Sequence, residues 1–390
     1  MAYDIQRLLS AVTKFDASDL ILKADAPPLY RVYGDVLPID AEPLTQETVA
    51  ALIHSLLTPA QSEIFHRDLE LDFSYEVPDV CRFRVNIFQQ RGNMGLVARA
   101  IPFDIMTMEQ IGLPPICTEF CERPRGLVLV TGPTGCGKST SLASMVNYIN
   151  HTRAEHIVTI EDPIEYVYED DKSLINQREL GSDTHSFSAA LKHVLRQDPD
   201  VILVGEMRDL ETIALAITAA ETGHLVFATL HTTNAVQTVD RIIDVFPTHQ
   251  QQQIRVQIAV NLVGVVSQVL LKRKEGEGRV AAFETMVAAP SVRNMIREGK
   301  TFQLGSVIQT GMKQGMIDLD QSLARLAAYD KVELEVARDK SSDHTQFDQY
   351  FTQYQGERIA AQGAPRPGEH SPAGAAAHQP QPGEPVAAAR

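Results

Sequence analysis

The sequence predicts an α/β protein in which a domain with a mostly parallel β-sheet follows a smaller α+β domain. Two patterns along the 390 residues support this division. Before about residue 100, short helices and strands follow one another without regular alternation. From residue 126, apolar strands alternate with helices, which is typical of a parallel sheet covered on both faces.

The first hundred residues show the periodicities of three helices and several strands. Apolar residues at helical spacing, beginning with Ile5, predict an opening helix, and Thr45 is placed to cap a helix that reaches Leu57. Residues 61–67 predict a third helix. Strand patterns occupy residues 19–23, 29–32, 71–76, 81–87 and 94–100. We therefore expect an α+β domain at residues 1–100 and a proline-punctuated linker at 101–112.

Alternation in the strand at 81–87 leaves basic side chains on one face of the predicted sheet. Arg82 and Arg84 alternate with apolar residues, and Arg99 lies on the next strand. A solvated outer face explains such a row. Alternatively, the arginines point at the phosphates of a neighbouring group.

A phosphate-binding pattern stands between the first strand and the first helix of the larger domain. It reads Gly132-Pro133-Thr134-Gly135-Cys136-Gly137-Lys138-Ser139-Thr140, or G-x-x-x-x-G-K-[ST]. Glycines let the backbone wrap a polyphosphate, and the amides at the helix N-terminus point at the anion. Lys138 is expected to reach the β- and γ-phosphates, and Ser139 to hold Mg²⁺. A chance match in a glycine-rich turn is the alternative, and the strand and helix on either side argue against it.

Three further strands of this domain end in polar clusters. The strand at 156–160 leads to Glu161 and Glu165, and the strand at 201–204 leads to Glu206. The strand at 225–230 is preceded by His224 and followed by His231. Carboxylates beside a nucleotide orient a water molecule or bind Mg²⁺. Because ligands bind at the carboxyl ends of parallel strands, we expect these clusters to meet the phosphate-binding loop. A histidine in such a place is either structural or functional.

Composition and charge exclude some classes of function. The formal net charge of -15 disfavours non-specific binding to nucleic acid as a main task. No apolar run approaches a membrane span, and the start of the chain lacks a signal-peptide pattern, so a cytoplasmic protein is expected. The four cysteines do not form two pairs at zinc-binding spacing, so we expect reduced thiols. Cys136 is either a small residue at an unconstrained position or a redox-sensitive one.

Together these motifs resemble the secretion and pilus ATPases, a RecA-like hexameric group that powers type IV pili and type II secretion. Four signatures carry the resemblance: the Walker A box at 132–140, an Asp box at 160–166, an atypical Walker B box at 202–209 and a His box at 223–234. Within the group, Ala17-Ser18-Asp19-Leu20 and the segment at 291–298 are similar to motifs of the pilus retraction ATPases. Ile21, in place of a histidine, and Ser291-Val292 depart from those motifs.

The resemblance implies roles for individual residues. Glu206 matches the Walker B glutamate, which also holds Mg²⁺ directly or through water, and Glu165 matches the Asp-box glutamate that assists hydrolysis. His224 and His231 match the pair that senses nucleotide state. Arg84 and Arg99 match arginines that reach ATP from the N-terminal domain. The implied fold is a RecA-like P-loop NTPase domain, at residues 113–355 with a helical C-terminal part, after a PAS-like N-terminal domain. Residues 356–390 are expected to be a disordered tail.

The resemblance also implies a function and partners. We expect a homohexameric ATPase that uses ATP and Mg²⁺ to drive pilus retraction at the cytoplasmic base of an inner-membrane pilus machine. A platform protein of that membrane and a paralogous retraction ATPase are the expected partners, with membrane contact through them alone and no nucleic acid. The alternatives are an accessory retraction ATPase, an assembly or secretion motor of the same fold, a motor on nucleic acid, and a nucleotide-dependent regulator without hydrolysis.

Overall fold

The computed structural model describes residues 3–32, 35–78, 80–101, 105–276 and 278–363, which form two sheets with helices around them. The strands are β1 (Ala17–Leu22), β2 (Leu29–Val32), β3 (Asp35–Pro38), β4 (Glu70–Val77), β5 (Cys81–Gln90), β6 (Asn93–Ile101), β7 (Gly126–Thr131), β8 (His156–Glu161), β9 (Leu174–Glu179), β10 (Val201–Val204), β11 (Leu225–Leu230), β12 (Leu262–Lys272) and β13 (Arg279–Val287). The helices are α1 (Ile5–Lys14), α2 (Gln46–His54), α3 (Pro59–Asp68), α4 (Met108–Ile111), α5 (Ile116–Cys121), α6 (Lys138–Thr152), α7 (Phe187–Val194), α8 (Leu210–Glu221), α9 (Ala235–Asp244), α10 (Thr248–Asn261), α11 (Pro290–Arg297), α12 (Leu304–Thr310), α13 (Leu319–Ala328), α14 (Leu334–Asp339) and α15 (His344–Gly363).

The N-terminal sheet is antiparallel and runs in the order β3-β2-β1-β6-β5-β4. Helices α1, α2 and α3 contribute buried side chains to one core with this sheet. The local sequence explains the helix starts, because Asp4 caps α1 and Thr45 caps α2 by accepting hydrogen bonds from the first-turn amides. The alternating strands and capped helices confirm the α+β fold predicted for this region.

The larger sheet runs in the order β13-β12-β7-β11-β10-β8-β9. Its strands are parallel except for the hairpin of β12 and β13. Strands β7, β10 and β11 are almost continuously apolar because helices cover both faces. The parallel α/β sheet predicted from the alternation is confirmed, and its carboxyl edge carries the phosphate-binding loop.

Three parts of the sequence prediction were wrong or incomplete. Strand β3 and the edge strand β9 were not predicted, because β3 is exposed and β9 alternates between polar and apolar residues too weakly. The sequence from 248 to 328 predicts helices interrupted by a hairpin at residues 268–273 and 280–286. The structure has this hairpin, but its first strand, β12, already begins at Leu262, where helix was predicted. The strand follows Asn261, the last residue of α10, with no connecting loop between them.

The boundaries predicted for the linker and the tail also change. The linker at 101–112 was too long, because β6 includes Ile101 and α4 buries Met108 in the same core as β7. Residues 102–104 lie outside the described residues. Helix α15 continues to Gly363, so the onset of the tail at 356 was wrong, and residues 364–390 lie outside the described residues. Among the described residues, no helix has the length and apolar character that crossing a bilayer requires.

Close packing between β12 and α5 gives a stability prediction. A Cβ on Gly264 would lie 2.3 Å from Cζ of Phe120 and 2.9 Å from the carbonyl oxygen of Met286. We expect Gly264→Ala to lower the free energy of unfolding by about 1–3 kcal/mol, because the core must shift to admit the methyl group. Urea denaturation measures the change.

Gly305→Ala in α12 is the matched control, since a Cβ there would meet no heavy atom within 4 Å. Alanine favours the helix over glycine by up to about 1 kcal/mol, so this variant should be neutral or more stable. Equal stability of the two variants would contradict the packing explanation.

Candidate nucleotide-binding site

The phosphate-binding loop joins the carboxyl end of β7 to the N-terminus of α6. Gly132 and Gly137 adopt φ angles of 144° and 91°, in the range that side chains disfavour. Gly137 occupies the N-cap position of α6, so the first amides of the helix face the pocket. The loop therefore has the backbone conformation that an anion site at a helix N-terminus requires.

A buried glutamine on the neighbouring strand β12 fixes the shape of this loop. Gln268 donates from Nε2 to the Cys136 carbonyl at 2.6 Å and accepts from the Ser141 hydroxyl at 2.8 Å. A Cβ on Gly132 would lie 2.4 Å from the Gln268 carbonyl oxygen, so only glycine fits there. Sequence analysis missed Gln268, because it lies far along the chain from the motif that it supports.

Lys138, at the start of α6, is folded back over the loop. Its Nζ donates to the carbonyl oxygens of Gly132 at 2.8 Å and Pro133 at 3.2 Å, and lies 3.5 Å from Nδ1 of His231. The ammonium group thus lies at the mouth of the anion site. Ser139 and Thr140 line the same pocket, and the Thr140 hydroxyl is 2.9 Å from that of Tyr166.

Glu206 follows β10 and lies between two basic groups. One carboxylate oxygen is 2.7 Å from Arg208, and the other is 3.1 Å from Nε2 of His231. Partial burial opposes ionisation, but the hydrogen bond and charge of Arg208, with His231, outweigh it and lower the pKa of Glu206. Glu206 is therefore a carboxylate at neutral pH. Arg208 was not predicted, although its position two residues after Glu206 is a signal that could have found it.

The loop after β8 forms the opposite wall of the pocket, with Glu161 and Glu165 among its lining residues. Glu165 is exposed to the pocket. Glu161 accepts hydrogen bonds from the Thr159 hydroxyl at 2.7 Å and the Gln177 amide at 3.2 Å. Burial raises the pKa of Glu161 from 4.5 to about 7, since these donors only partly offset the lost hydration.

The structure separates the two histidines that the sequence pattern grouped together. His231 lies in the pocket, whereas His224 precedes β11 at its opposite end, where Nδ1 is 2.9 Å from the Ala219 carbonyl oxygen. A strand of six residues spans roughly 20 Å. His224 therefore does not line the pocket of a single chain, and its expected role with the nucleotide stays a prediction.

Arg84 and Arg99 lie on the N-terminal sheet and do not line the pocket that contains Lys138. They face each other across β5 and β6, and Arg99 donates from Nε to the buried Asp19 at 2.8 Å. In this conformation the structure does not bring the two arginines to the phosphate-binding loop. Their expected role as groups that reach ATP stays a prediction.

Cys136 is buried within the phosphate-binding loop. Burial raises the pKa of its thiol, and the charge of Lys138 only partly opposes this effect. Because the thiolate is the reactive form, the structure favours the small-residue interpretation of Cys136 over the redox-sensitive one.

The raised pKa of Glu161 predicts a pH dependence of stability. Below about pH 4.5 the carboxyl is protonated in the folded and unfolded states. Between about pH 4.5 and pH 7 the unfolded state loses this proton while the folded state keeps it, so the free energy of unfolding of the wild type falls across this range. Glu161→Gln keeps the accepting oxygen and stays neutral. We therefore expect its stability relative to wild type to rise by about 2–3 kcal/mol from pH 5 to pH 8.

Urea denaturation without nucleotide, at several pH values, measures this difference. Glu169→Gln, at an exposed position of the same segment, is the control and should differ from wild type by a constant amount. A flat difference for Glu161→Gln would show that burial does not perturb this carboxyl.

Known proteins of one family are similar to this chain in sequence. The family model described as "Type II/IV secretion system protein" matches residues 73–318. The type IV pilus retraction ATPase PilT of Pseudomonas aeruginosa is 53% identical over 338 residues, covering 87% of this chain and 98% of that protein. The type IV pilus ATPase PilU of the same organism is 39% identical, covering 86% of this chain and 87% of PilU.

A solved structure agrees with the fold. The crystal structure of the pilus retraction motor PilT with bound ADP is similar with a TM-score of 0.84 and 44% identity, over 89% of this chain and 99% of that one. The similarity extends over both sheets, and the family match includes the phosphate-binding loop and all three polar clusters at the strand ends. The chain therefore belongs to the type II/IV secretion system protein family.

Proposed function

We propose that the chain is an ATPase that hydrolyses ATP to power the retraction of type IV pili. The observation that carries the proposal is the convergence of Lys138, Glu165, Glu206 and His231 on one pocket at the phosphate-binding loop. The similarity to a retraction motor over nearly its whole length supports the coupling to pili. Higher identity to PilT than to PilU favours the retraction ATPase over the accessory one.

The loop residues bind the triphosphate. The amides at the start of α6 donate to phosphate oxygens, and Lys138 exchanges the carbonyl oxygens of Gly132 and Pro133 for the β- and γ-phosphates. Water attacks the γ-phosphorus in line, the bond to the bridging oxygen breaks, and ADP and phosphate leave. Glu165, exposed on the opposite wall, positions the water.

The pocket also fits Mg²⁺. The Ser139 hydroxyl and the ionised Glu206 carboxylate are the oxygen ligands that this ion prefers, and both line the pocket. Ser139 would hold the ion directly and Glu206 directly or through water. When bound, Mg²⁺ neutralises charge that develops on the phosphates.

Arg84 and Arg99 complete the site when an N-terminal domain closes over the pocket. We place this domain at residues 3–101 and the ATPase domain from residue 105 onwards, because their hydrophobic cores share no residue. Closure adds positive charge where the transition state becomes more negative.

The assembly follows from the same proposal. A homohexamer at the cytoplasmic base of the pilus machine passes the domain movement to a platform protein of the inner membrane, with a paralogous retraction ATPase as a further partner. Contact with the membrane occurs through these partners, and nucleic acid has no part.

Arginine variants test the closed site. We expect Arg84→Ala to lower kcat for ATP by about 10³-fold or more, since a missing arginine finger costs that much. Lys138→Ala sets the level of an inactive site, and Arg91→Ala, in the exposed turn of the same hairpin, should keep full activity. Arg99→Ala needs a melting curve as well, because it removes a partner of the buried Asp19. Activity of Arg84→Ala within a few-fold of wild type would rule out its role.

A deletion strain tests the biological function. Cells that lack this protein should keep many surface pili and lose twitching motility, and the wild-type gene should restore motility while Lys138→Ala should not. Piliation counts and twitching zones measure the outcome. Loss of pili on deletion would instead indicate an assembly motor. Restoration by Lys138→Ala would indicate a regulator that does not need hydrolysis.

A further inference from the structure

Glu179 is a buried carboxylate outside the residues that line the nucleotide pocket. It ends the edge strand β9, directly opposite Glu161 on β8, and its side chain is 5% exposed. A buried carboxylate is costly unless several donors satisfy it. Its donors come from two different parts of the molecule.

The first donors belong to the N-terminal sheet. The Ser74 hydroxyl on β4 lies 2.8 Å and 2.9 Å from the two carboxylate oxygens, and Nη2 of Arg82 on β5 lies 2.9 Å from Oε2. Ser74 and Arg82 therefore join the N-terminal sheet to the edge of the ATPase sheet at one carboxylate.

The third donor belongs to the loop that carries Glu165. The backbone N–H of Ile164 donates to Oε2 of Glu179 at 3.2 Å, and Ile164 directly precedes Glu165. The backbone N–H of Glu179 is itself held by Asp183 at 2.7 Å. Asp183 thus fixes the backbone of Glu179. The carboxylate of Glu179 accepts hydrogen bonds from both the N-terminal sheet and the loop that carries Glu165.

The contact with the N-terminal sheet uses only part of the hydrogen-bonding capacity of Arg82. Nε of Arg82 is buried and has no hydrogen-bond partner within the described part of the chain, so Arg82 holds Glu179 through one nitrogen only. A paired two-nitrogen contact would be stronger and harder to release.

We propose that Glu179 is a positioning residue that couples the N-terminal sheet to the placement of Glu165. When the sheet moves away, the buried carboxylate loses Ser74 and Arg82, and the Ile164 amide is the one donor it keeps among the described residues. The free energy of this state rises, so the loop must move to let Glu179 be rehydrated. The inference rests on the proposed ATPase function, because its consequence is a change in the rate of hydrolysis.

Kinetics and hydrogen exchange on the full chain test the coupling. Arg82→Ala should lower kcat for ATP about tenfold or more, while the Kd of a non-hydrolysable ATP analogue changes less than twofold, because Arg82 is remote from the phosphate-binding loop. In the same variant the Ile164 amide should exchange faster, although Arg82 does not touch it. Arg82→Lys keeps one nitrogen donor and should restore most of the activity.

A double variant separates coupling from general damage. If Glu179 and Arg82 act as a unit, Arg82→Ala with Glu179→Gln should be no slower than the slower single variant. Ser74→Ala, which keeps Arg82, gives a milder test should Arg82→Ala unfold, and it should also speed exchange at Ile164. Arg91→Ala is the matched arginine control.

Each outcome points to one conclusion. Unchanged kcat and unchanged Ile164 exchange in both Arg82→Ala and Ser74→Ala would overturn the coupling, while an active wild type would leave the proposed function intact. Additive losses in the double variant would also overturn it. A wild-type chain that does not hydrolyse ATP would instead refute the proposed function. Hydrogen exchange at the Ile164 amide would still show whether losing Ser74 or Arg82 as a partner of Glu179 affects the Glu165 loop.

Discussion

The shape of the phosphate-binding loop depends on the buried amide of Gln268. Its side chain donates to the Cys136 carbonyl and accepts from the Ser141 hydroxyl. The backbone carbonyl of the same residue leaves room only for a glycine at 132. The amides at the start of α6 can face an anion only while the loop keeps that path. Strand β12, which contributes none of the sequence motifs, is therefore as necessary to the site as the strand that leads into the loop.

The polar and charged groups of the pocket contact one another. Lys138 lies against loop carbonyls and His231, His231 against Glu206, and Glu206 against Arg208. When a nucleotide binds, these side chains exchange one polar partner for another. Binding therefore need not remove water from a charged side chain that has no partner. Through His231, the same contacts connect Lys138, which is expected to bind the phosphates, with Glu206.

Sequence reasoning located the site because its main residues follow apolar strands, and parallel strands bring their carboxyl ends together. Lys138, Glu206 and His231 were found in this way. The role expected for His224 came instead from the family resemblance, and the residue lies at the amino end of β11, away from the pocket. Gln268 and Glu179 could not be found, because their importance depends on which strands pair and which domains touch, and no local pattern records that. Weak edge strands such as β9 escaped for the same reason.

The N-terminal arginines are constrained by the carboxylates that hold them. Arg99 could leave Asp19 at modest cost, because Asp19 would keep the Ser18 hydroxyl at 2.7 Å and Arg31 at 3.5 Å. Glu179, in contrast, would lose both of its N-terminal donors at once. Arg84 and Arg99 are directly opposite each other in the register of β5 and β6, so the sheet fixes the distance between their backbones. They would therefore reach a nucleotide by movement of the whole sheet, and such a movement cannot leave the Glu179 contact unchanged.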